Sequence, residues 1–297
     1  MITQLGNYQI ESTLGEGAAG IVYRARFTGD PLNAANGRPT LVAIKVLRPE
    51  SITQPQVLAC FQFEGRVLSR LRHPGILCVY ETGMDDGHMY TVMELIDGYS
   101  LDKYLLAKKR LSVSESIKLA RQTAEALDYL HSHGYAHRDI KPANLMYALD
   151  GRLVLFDFGT VIRIKDGTHY ESGVYGTPAF LAPEQIEAGA KIDGRADLYA
   201  LGIMLYQMVT GRKPFYGSRQ EVLDAHMFAE PPPPSKFARV PKPLEAVIMQ
   251  SISKQPTARF ATGAQFAEAL AQVAENLPSP ASSPWQRLRG WLQPHSA

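Results

Sequence analysis

Three glycines, Gly15, Gly17 and Gly20, follow one β-prone run and precede another, 21–27. Their spacing is G-x-G-x-x-G-x-V, and glycine lets backbone N–H groups approach a phosphate closely because it has no Cβ atom. Dinucleotide-binding folds share this spacing, but in those folds a helix begins directly after the glycines. The pattern therefore favours a hairpin loop folded over nucleotide phosphates and disfavours an NAD-binding fold.

The patterning changes after Asp97-Gly98, from short β-prone runs to helical periodicity. The β-prone runs are 8–14, 21–27, 41–47, 77–81 and 89–95, with one helical stretch among them at 55–71. Helical stretches then follow at 114–131, 196–209, 219–228, 243–252 and 262–274. This order predicts an α+β fold with two lobes. A small β-rich lobe would cover 1–96, a larger and mainly helical lobe 97–275, and a Pro/Ser linker with a short tail 276–297.

Composition excludes several other classes of protein. Apolar residues make up 45% and charged residues 20%, an ordinary globular balance, and the net charge of +2 gives no basic field that would attract nucleic acid. Two cysteines are too few for a disulfide framework or a four-ligand zinc site. The N-terminus lacks signal-peptide features, and the longest apolar run, 198–209, is shorter than the roughly twenty residues that span a bilayer. We therefore expect a cytoplasmic protein with no transmembrane segment and no nucleic-acid partner.

Lys45 lies in the apolar run Val42-Ala43-Ile44-Lys45. Taken alone, such a lysine is best explained as a side chain whose stem packs while its ammonium group reaches water. A functional interpretation needs a carboxylate partner, and Glu64 on the predicted helix 55–71 supplies one. A Lys–Glu pair would hold the ammonium group toward phosphate oxygens.

The densest polar cluster is the segment 137–144, His-Arg-Asp-Ile-Lys-Pro-Ala-Asn. Asp139 can accept a proton from an attacking hydroxyl, and Lys141 can contact a transferred phosphate. Asn144 offers an oxygen to a hard cation, and Asp157 of the later Asp-Phe-Gly offers a second one. Each piece alone could be an ordinary polar loop or turn. Their joint occurrence, in order and in the expected structural context, makes coincidence implausible.

With these motifs the chain resembles the Hanks-type (eukaryotic-like) serine/threonine protein kinases of bacteria over about residues 8–275. The resemblance implies these catalytic residues: Asp139, Lys141, Lys45, Glu64 and Thr177. The Thr177 hydroxyl would bridge Asp139 and Lys141. Ala182-Pro183-Glu184 would close the activation segment, with Glu184 paired to Arg259. Asp197 and Gly202 would lie at the start of the buried central helix.

The resemblance also implies an ATP pocket and a metal site. The cofactor-binding residues would be Leu14, Gly15, Gly17, Gly20, Val22, Ala43, Lys45, Met93, Glu94, Ile96, Met146, Asn144 and Asp157. Met93 would be the gatekeeper, and the backbones of Glu94 and Ile96 would face adenine. Asn144 and Asp157 would bind Mg²⁺, for which Mn²⁺ could substitute. An apolar spine anchored at Asp197 would consist of Leu68, Val79, His137 and Phe158.

The implied activity is ATP- and Mg²⁺-dependent phosphorylation of protein Ser/Thr hydroxyls, including the enzyme's own, in signal transduction. A pseudokinase scaffold is one alternative, but such proteins usually lack the lysine or one of the two aspartates. A small-molecule phosphotransferase is another, but those generally lack Ala-Pro-Glu and the segment matching Gly176-Thr177. Both are disfavoured by the complete motif set. Phe156 and Thr160, which flank Asp-Phe-Gly, depart from the family pattern and are expected to contact no motif residue.

The activation segment leaves two interpretations open. Where bacterial relatives often carry a phosphorylated threonine, this chain has Glu171, with Thr168 and Ser172 nearby as alternative phosphosites. The Glu171 carboxylate could pair with Arg138 and partly replace a phosphate, although with one negative charge rather than nearly two. Glu171 as a solvated loop residue is an equally good explanation.

The tail contains both tryptophans of the chain, Trp285 and Trp291. On a helix, Trp285, Leu288 and Leu292 would share one face, with arginines off that face. The favoured expectation is that this face packs on the chain's own helical lobe. A partner protein or, weakly, an anionic membrane surface is the alternative.

Overall fold

The computed structural model describes residues 2–17, 20–29, 39–164, 169–170 and 173–277. Its amino-terminal part is an antiparallel six-stranded sheet in the order β1-β2-β3-β4-β6-β5. The strands are β1 (Gln4–Leu5), β2 (Tyr8–Glu16), β3 (Gly20–Phe27), β4 (Leu41–Leu47), β5 (Val79–Asp85) and β6 (His88–Glu94). Two helices lie between β4 and β5: α1 (Pro49–Ile52) and α2 (Pro55–Leu68). One face of the sheet encloses a small core of its own that includes Leu5, Tyr8, Ile44 and Val92.

The glycine loop joins two strands, as the hairpin pattern predicts. β2 ends at Glu16, β3 begins at Gly20, and the Gly17 N–H donates to the Gly20 carbonyl at 2.9 Å. Gly20 pairs with Leu47 of β4, and a Cβ atom at this position would collide with the Val46 carbonyl. A side chain here would therefore push the loop away from the sheet.

Helix α2 is shorter than its sequence pattern predicts. The pattern extends to Leu71, but the helix ends at Leu68. The N–H groups of Arg70 and Leu71 bond to carbonyls three residues back, at 3.1 and 3.2 Å, which is a tighter turn than an α-helix. This turn leads the chain into His73-Pro74, where proline disfavours helical backbone in the preceding residue.

The carboxy-terminal part is mainly helical. Its helices are α3 (Leu101–Lys108), α4 (Val113–Ser132), α5 (Pro183–Ile186), α6 (Arg195–Thr210), α7 (Arg219–Phe228), α8 (Lys242–Ser251) and α9 (Gly263–Glu275). The short strands are β7 (Gly98–Ser100), β8 (Tyr135–Ala136), β9 (Leu145–Ala148), β10 (Leu153–Leu155), β11 (Ile162–Arg163), β12 (His169–Tyr170) and β13 (Lys191–Ile192). Three of these strands form a small sheet in the order β10-β9-β7. The two-lobed α+β prediction is confirmed, although α1, α3 and α5 have no counterpart in the predicted elements.

Helix α6 is the centre of the helical lobe, and nearly all of its residues are buried. A helix that is apolar on all sides is stable only when other elements surround it. α4 and α8 pack on it, and Gly202 provides the space, because a Cβ there would collide with Ser251 of α8. The sequence pattern of a buried central helix is therefore confirmed.

Several expectations concern residues outside the described ranges. They are the candidate phosphosites Thr168 and Ser172, the possible phosphate mimic Glu171, and the tail residues from Pro278 onward. An apolar cavity of about 390 Å³ lies at the end of α9, where its lining includes Val113, Val240 and Leu277. Packing of the tail on the helical lobe stays a prediction. Among the described residues, no helix has both the length and the apolar character to cross a membrane.

A buried ion pair fastens the end of the activation segment to the helical lobe. Both terminal nitrogens of Arg259 donate to the Glu184 carboxylate, at 2.7 and 2.9 Å. The remaining N–H groups donate to the carbonyls of Ser253, Arg195 and Lys254, so the guanidinium is saturated. Because the Arg259 side chain is 0% and that of Glu184 7% exposed, loss of one partner would leave an uncompensated buried charge.

We predict that Arg259→Leu lowers the free energy of unfolding by about 3–5 kcal/mol, the range for a broken buried pair. Urea denaturation followed by circular dichroism measures this. Arg195→Leu is the matched control, since its pair with Asp193 is 28% and 22% exposed and should contribute about 1 kcal/mol or less. Equal losses in the two variants would contradict the assignment.

Candidate active site

Lys45 and Glu64 form the predicted ion pair. Lys45 lies on β4, Glu64 on the buried face of α2, and the Lys45 Nζ donates to Glu64 Oε2 at 2.7 Å. The other oxygen, Oε1, accepts a bond from the Phe158 N–H at 3.3 Å. Glu64 therefore joins the sheet to the Asp-Phe-Gly segment, and the Lys45 ammonium group is held at the edge of the cavity beside Asp157.

Asp139 forms a hydrogen-bonded triangle with Lys141 and Thr177. Its Oδ2 accepts from the Lys141 Nζ at 2.6 Å and its Oδ1 from the Thr177 N–H at 2.9 Å, while Lys141 also donates to the Thr177 hydroxyl at 2.8 Å. Thr177 thus contacts both residues, Lys141 through its hydroxyl and Asp139 through its backbone N–H. Burial tends to raise the pKa of Asp139, but the hydrogen bonds from Lys141 and Thr177 outweigh it and hold the pKa below its ordinary value. Asp139 is therefore a carboxylate that can orient a hydroxyl group.

Asn144 and Asp157 are the residues that the sequence predicts as metal ligands. The Asn144 Nδ2 donates to the backbone carbonyl and to Oδ2 of Asp139, at 2.9 and 3.1 Å. Because the amide is planar, its oxygen is directed away from Asp139 and is left for another donor or cation. Asp157 lines a cavity of about 270 Å³ together with Lys45, Glu64 and Gly159.

The number of oxygen ligands suits magnesium bound with a nucleotide. Within the described ranges no three His, Cys, Asp or Glu residues cluster as a metal site would require. Mg²⁺ typically takes one or two protein oxygens and completes its shell with phosphate oxygens and water. One carboxylate and one amide oxygen meet that requirement. Which residues bind the ion stays a prediction.

Asp197 of α6 holds the segment 137–144 in a rare backbone conformation. Arg138 has φ +68°, in the left-handed region that a non-glycine residue seldom adopts. The Asp197 carboxylate accepts from the N–H groups of His137 and Arg138, at 2.8 and 2.7 Å. Its Oδ2 also lies 2.8 Å from the His131 Nε2 of α4. Burial tends to raise the pKa of Asp197, but the hydrogen bonds and charge interactions with His131 and His137 together outweigh it, so the net shift is downward.

Phe156 and Thr160 do contact motif residues, so the expectation that they would not is wrong. The Thr160 hydroxyl donates to the His137 carbonyl at 2.8 Å, and the Thr160 carbonyl accepts from the Arg138 Nε at 2.8 Å. The Phe156 carbonyl lies 3.4 Å from the His137 Nε2. These contacts run between segments that are about twenty residues apart in sequence, and no motif marks them. Burial lowers the pKa of His137, consistent with a neutral ring in the spine.

The residues predicted to surround adenine lie at the junction of the lobes. Ala43 of β4 pairs with Met93 of β6, while Met146 pairs with Val154 on the carboxy-terminal side. The Glu94 N–H donates to the Cys78 carbonyl at 2.9 Å and is therefore already used. A base at the segment 94–97 would have to contact its other backbone groups. Leu14 is half exposed at the end of β2. The spine contact His137–Phe158 is an edge-to-face pair with ring centroids 4.8 Å apart.

Comparison with known proteins identifies the group of proteins that this architecture resembles. The sequence model of the protein kinase domain matches residues 8–272. The serine/threonine-protein kinase PkaA of Streptomyces coelicolor is 39% identical over 279 residues, which is 91% of this chain and 50% of that protein. PknB of Mycolicibacterium smegmatis is 35% identical over 79% of this chain and 39% of its own length. PknJ of Mycobacterium tuberculosis is 36% identical over 89% of this chain and 45% of its own length. The chain thus spans half or less of these curated relatives.

We predict that Lys141→Met lowers the free energy of unfolding at pH 7 by about 1–3 kcal/mol, because Asp139 loses a charged hydrogen-bond partner. The pKa of Asp139 is depressed in the folded state, so its stabilising effect is present above the unfolded pKa and is lost as pH falls through the folded one. The difference from wild type should therefore shrink as pH drops below about 4. Urea denaturation at pH 7 and at a pH below about 4 measures this difference, with Lys103→Met at an exposed position as control. A difference independent of pH would contradict the assignment.

Proposed function

Since the chain belongs to the protein kinase domain family, we propose that it transfers the γ-phosphoryl group of ATP to serine or threonine hydroxyls of proteins, its own included. The observation that carries this proposal is the triangle of Asp139, Lys141 and Thr177, in which a carboxylate and an ammonium group lie 2.6 Å apart. Phosphoryl transfer requires mainly positioning and charge stabilisation, and these groups supply both. Because ATP is the donor, we propose the cytoplasm as the location.

The proposed reaction assigns a role to each charged side chain of the site. Lys45, held by Glu64 at 2.7 Å, binds the α- and β-phosphates. Asp139 orients the acceptor hydroxyl and takes its proton, and Lys141 offsets negative charge on the phosphoryl group as it moves. Mg²⁺, with Mn²⁺ as a substitute, would be held by Asn144 and Asp157 and would neutralise charge on the phosphates.

The specificity for protein hydroxyls rests on the segment after Gly176. Thr177 precedes a short 3₁₀ turn, Pro178–Phe180, and the buried Glu184–Arg259 pair fixes the end of the same segment. This places a rigid backbone beside Asp139, where a peptide could lie. A pseudokinase scaffold would have no need for the intact triangle.

We expect Asp139→Asn to abolish phosphorylation of a generic acceptor such as myelin basic protein, because an amide cannot accept the hydroxyl proton. Incorporation of ³²P from ATP measures it, and EDTA should stop the wild-type reaction because the metal ligands act only through the ion. Asp224→Asn, at an exposed position of α7, is the matched control and should keep full activity. Transfer by Asp139→Asn at the wild-type rate would refute the proposal.

A further inference from the structure

The turn between β9 and β10, residues Leu149–Arg152, contacts both ends of the connection between the lobes. That connection, the hinge, is defined here as Glu94–Gly98. At one end the Leu149 N–H donates to the Asp97 carbonyl at 2.9 Å. At the other end the Arg152 Nη2 donates to Glu94 Oε1 at 2.8 Å. The turn therefore spans the hinge from the side of the helical lobe.

Arg152 is oriented by its own turn and reaches a third segment. Its Nε and its backbone N–H donate to the two oxygens of Asp150, at 2.7 and 2.9 Å. Its Nη1 lies 3.4 Å from the Pro74 carbonyl, in the loop between α2 and β5. Hydrogen bonds to Asp150 and Glu94 raise the pKa of Arg152, so the guanidinium stays charged.

The turn is itself fixed to helix α4. The Gln122 side chain donates to the Gly151 carbonyl at 3.1 Å and accepts from the Leu153 N–H at 2.8 Å. Gly151 has φ +88°, which a side chain would strain. α4 packs along α6 and α9 in the core of the helical lobe, so the Arg152 guanidinium projects from a rigid base.

The hinge and β9 form opposite sides of the proposed adenine site. Glu94 is the last residue of β6 and directly follows Met93. Met146 lies on β9, the strand that leads into the turn. The distance between these two sides therefore depends on what joins the turn to the hinge. The Glu94 side chain can bind Arg152 while the Glu94 backbone carbonyl stays available to contact a base.

We propose that Arg152 is a positioning residue that fixes the hinge to the helical lobe through Glu94 and thereby sets the affinity for the adenine nucleotide. This proposal rests on the proposed function, because it assumes that ATP occupies the cleft between the lobes. Many half-exposed ion pairs contribute little, and Arg152 and Glu94 are 37% and 20% exposed. Here, however, one oriented guanidinium connects three segments, and a planar fork loses little freedom in doing so.

The test is calorimetric binding of MgADP to the full chain. Arg152→Ala and Glu94→Gln should each raise the Kd by about three- to fivefold, the upper end of what a partly exposed ion pair contributes. The double variant should lose no more affinity for MgADP than either single variant, because both substitutions remove the same contact. Arg152→Lys should fall between wild type and Arg152→Ala, since lysine cannot bind both carboxylates with a fixed fork.

Steady-state kinetics separates positioning from a general loss of structure. In Arg152→Ala the KM for ATP should rise by the same factor, with kcat and the KM for the protein acceptor within about twofold of wild type, because only nucleotide binding changes. The control is Arg26→Ala, whose pair with Glu11 at 2.7 Å lies on the sheet and is similarly exposed; it should alter neither constant.

An unchanged Kd in Arg152→Ala, or additive losses in the double variant, would overturn the proposal. So would a Kd that rises equally in Arg26→Ala. MgADP binding needs no phosphoryl transfer, so an inactive wild-type protein would contradict the proposed function while the binding comparison would still decide the role of Arg152.

Discussion

The geometry of the site depends on the hydrogen bonds that the Asp197 carboxylate accepts. This carboxylate is fully buried on the central helix α6. It accepts from the backbone N–H groups of His137 and Arg138, in the loop that carries Asp139, and it also contacts His131. Burying a carboxylate is unfavourable unless such donors satisfy it. In return, the loop is held with Arg138 at positive φ, a conformation that the surrounding structure must enforce. That conformation determines where Asp139 lies.

From Asp197 a continuous series of contacts extends to the amino-terminal sheet. The loop that Asp197 holds carries His137, which packs edge to face on Phe158. The Phe158 N–H donates to Glu64, and Glu64 holds Lys45 on β4. Thus a single helix positions Asp139, the proposed base, on one side and, through α2, Lys45, the proposed phosphate-binding residue, on the other. This arrangement explains why elements far apart in sequence must be in place together before the site can act.

The sequence predicted the parts of this arrangement that local patterns record. The glycine spacing predicted the hairpin, the need for a carboxylate partner on the predicted helix pointed from Lys45 to Glu64, and the motif resemblance paired Glu184 with Arg259. It did not predict the contacts of Phe156 and Thr160 or the bond from Arg152 to Glu94, because these form between loops that meet only after the lobes have folded. Likewise the end of α2 at Leu68 is set by a tight turn before Pro74, which periodicity alone does not encode.

The most direct test of this account is the kinetics of Asp197→Asn, a substitution of the same shape that replaces one acceptor oxygen with a donor. One loop N–H, or the His131 contact, then lacks its acceptor, and Asp139 shifts. Because a misplacement of about 1 Å can cost roughly 100-fold in rate, kcat should fall by about that factor while the protein still unfolds cooperatively. Asp193→Asn at the start of the same helix should be near wild type. Wild-type kcat in Asp197→Asn would contradict the account.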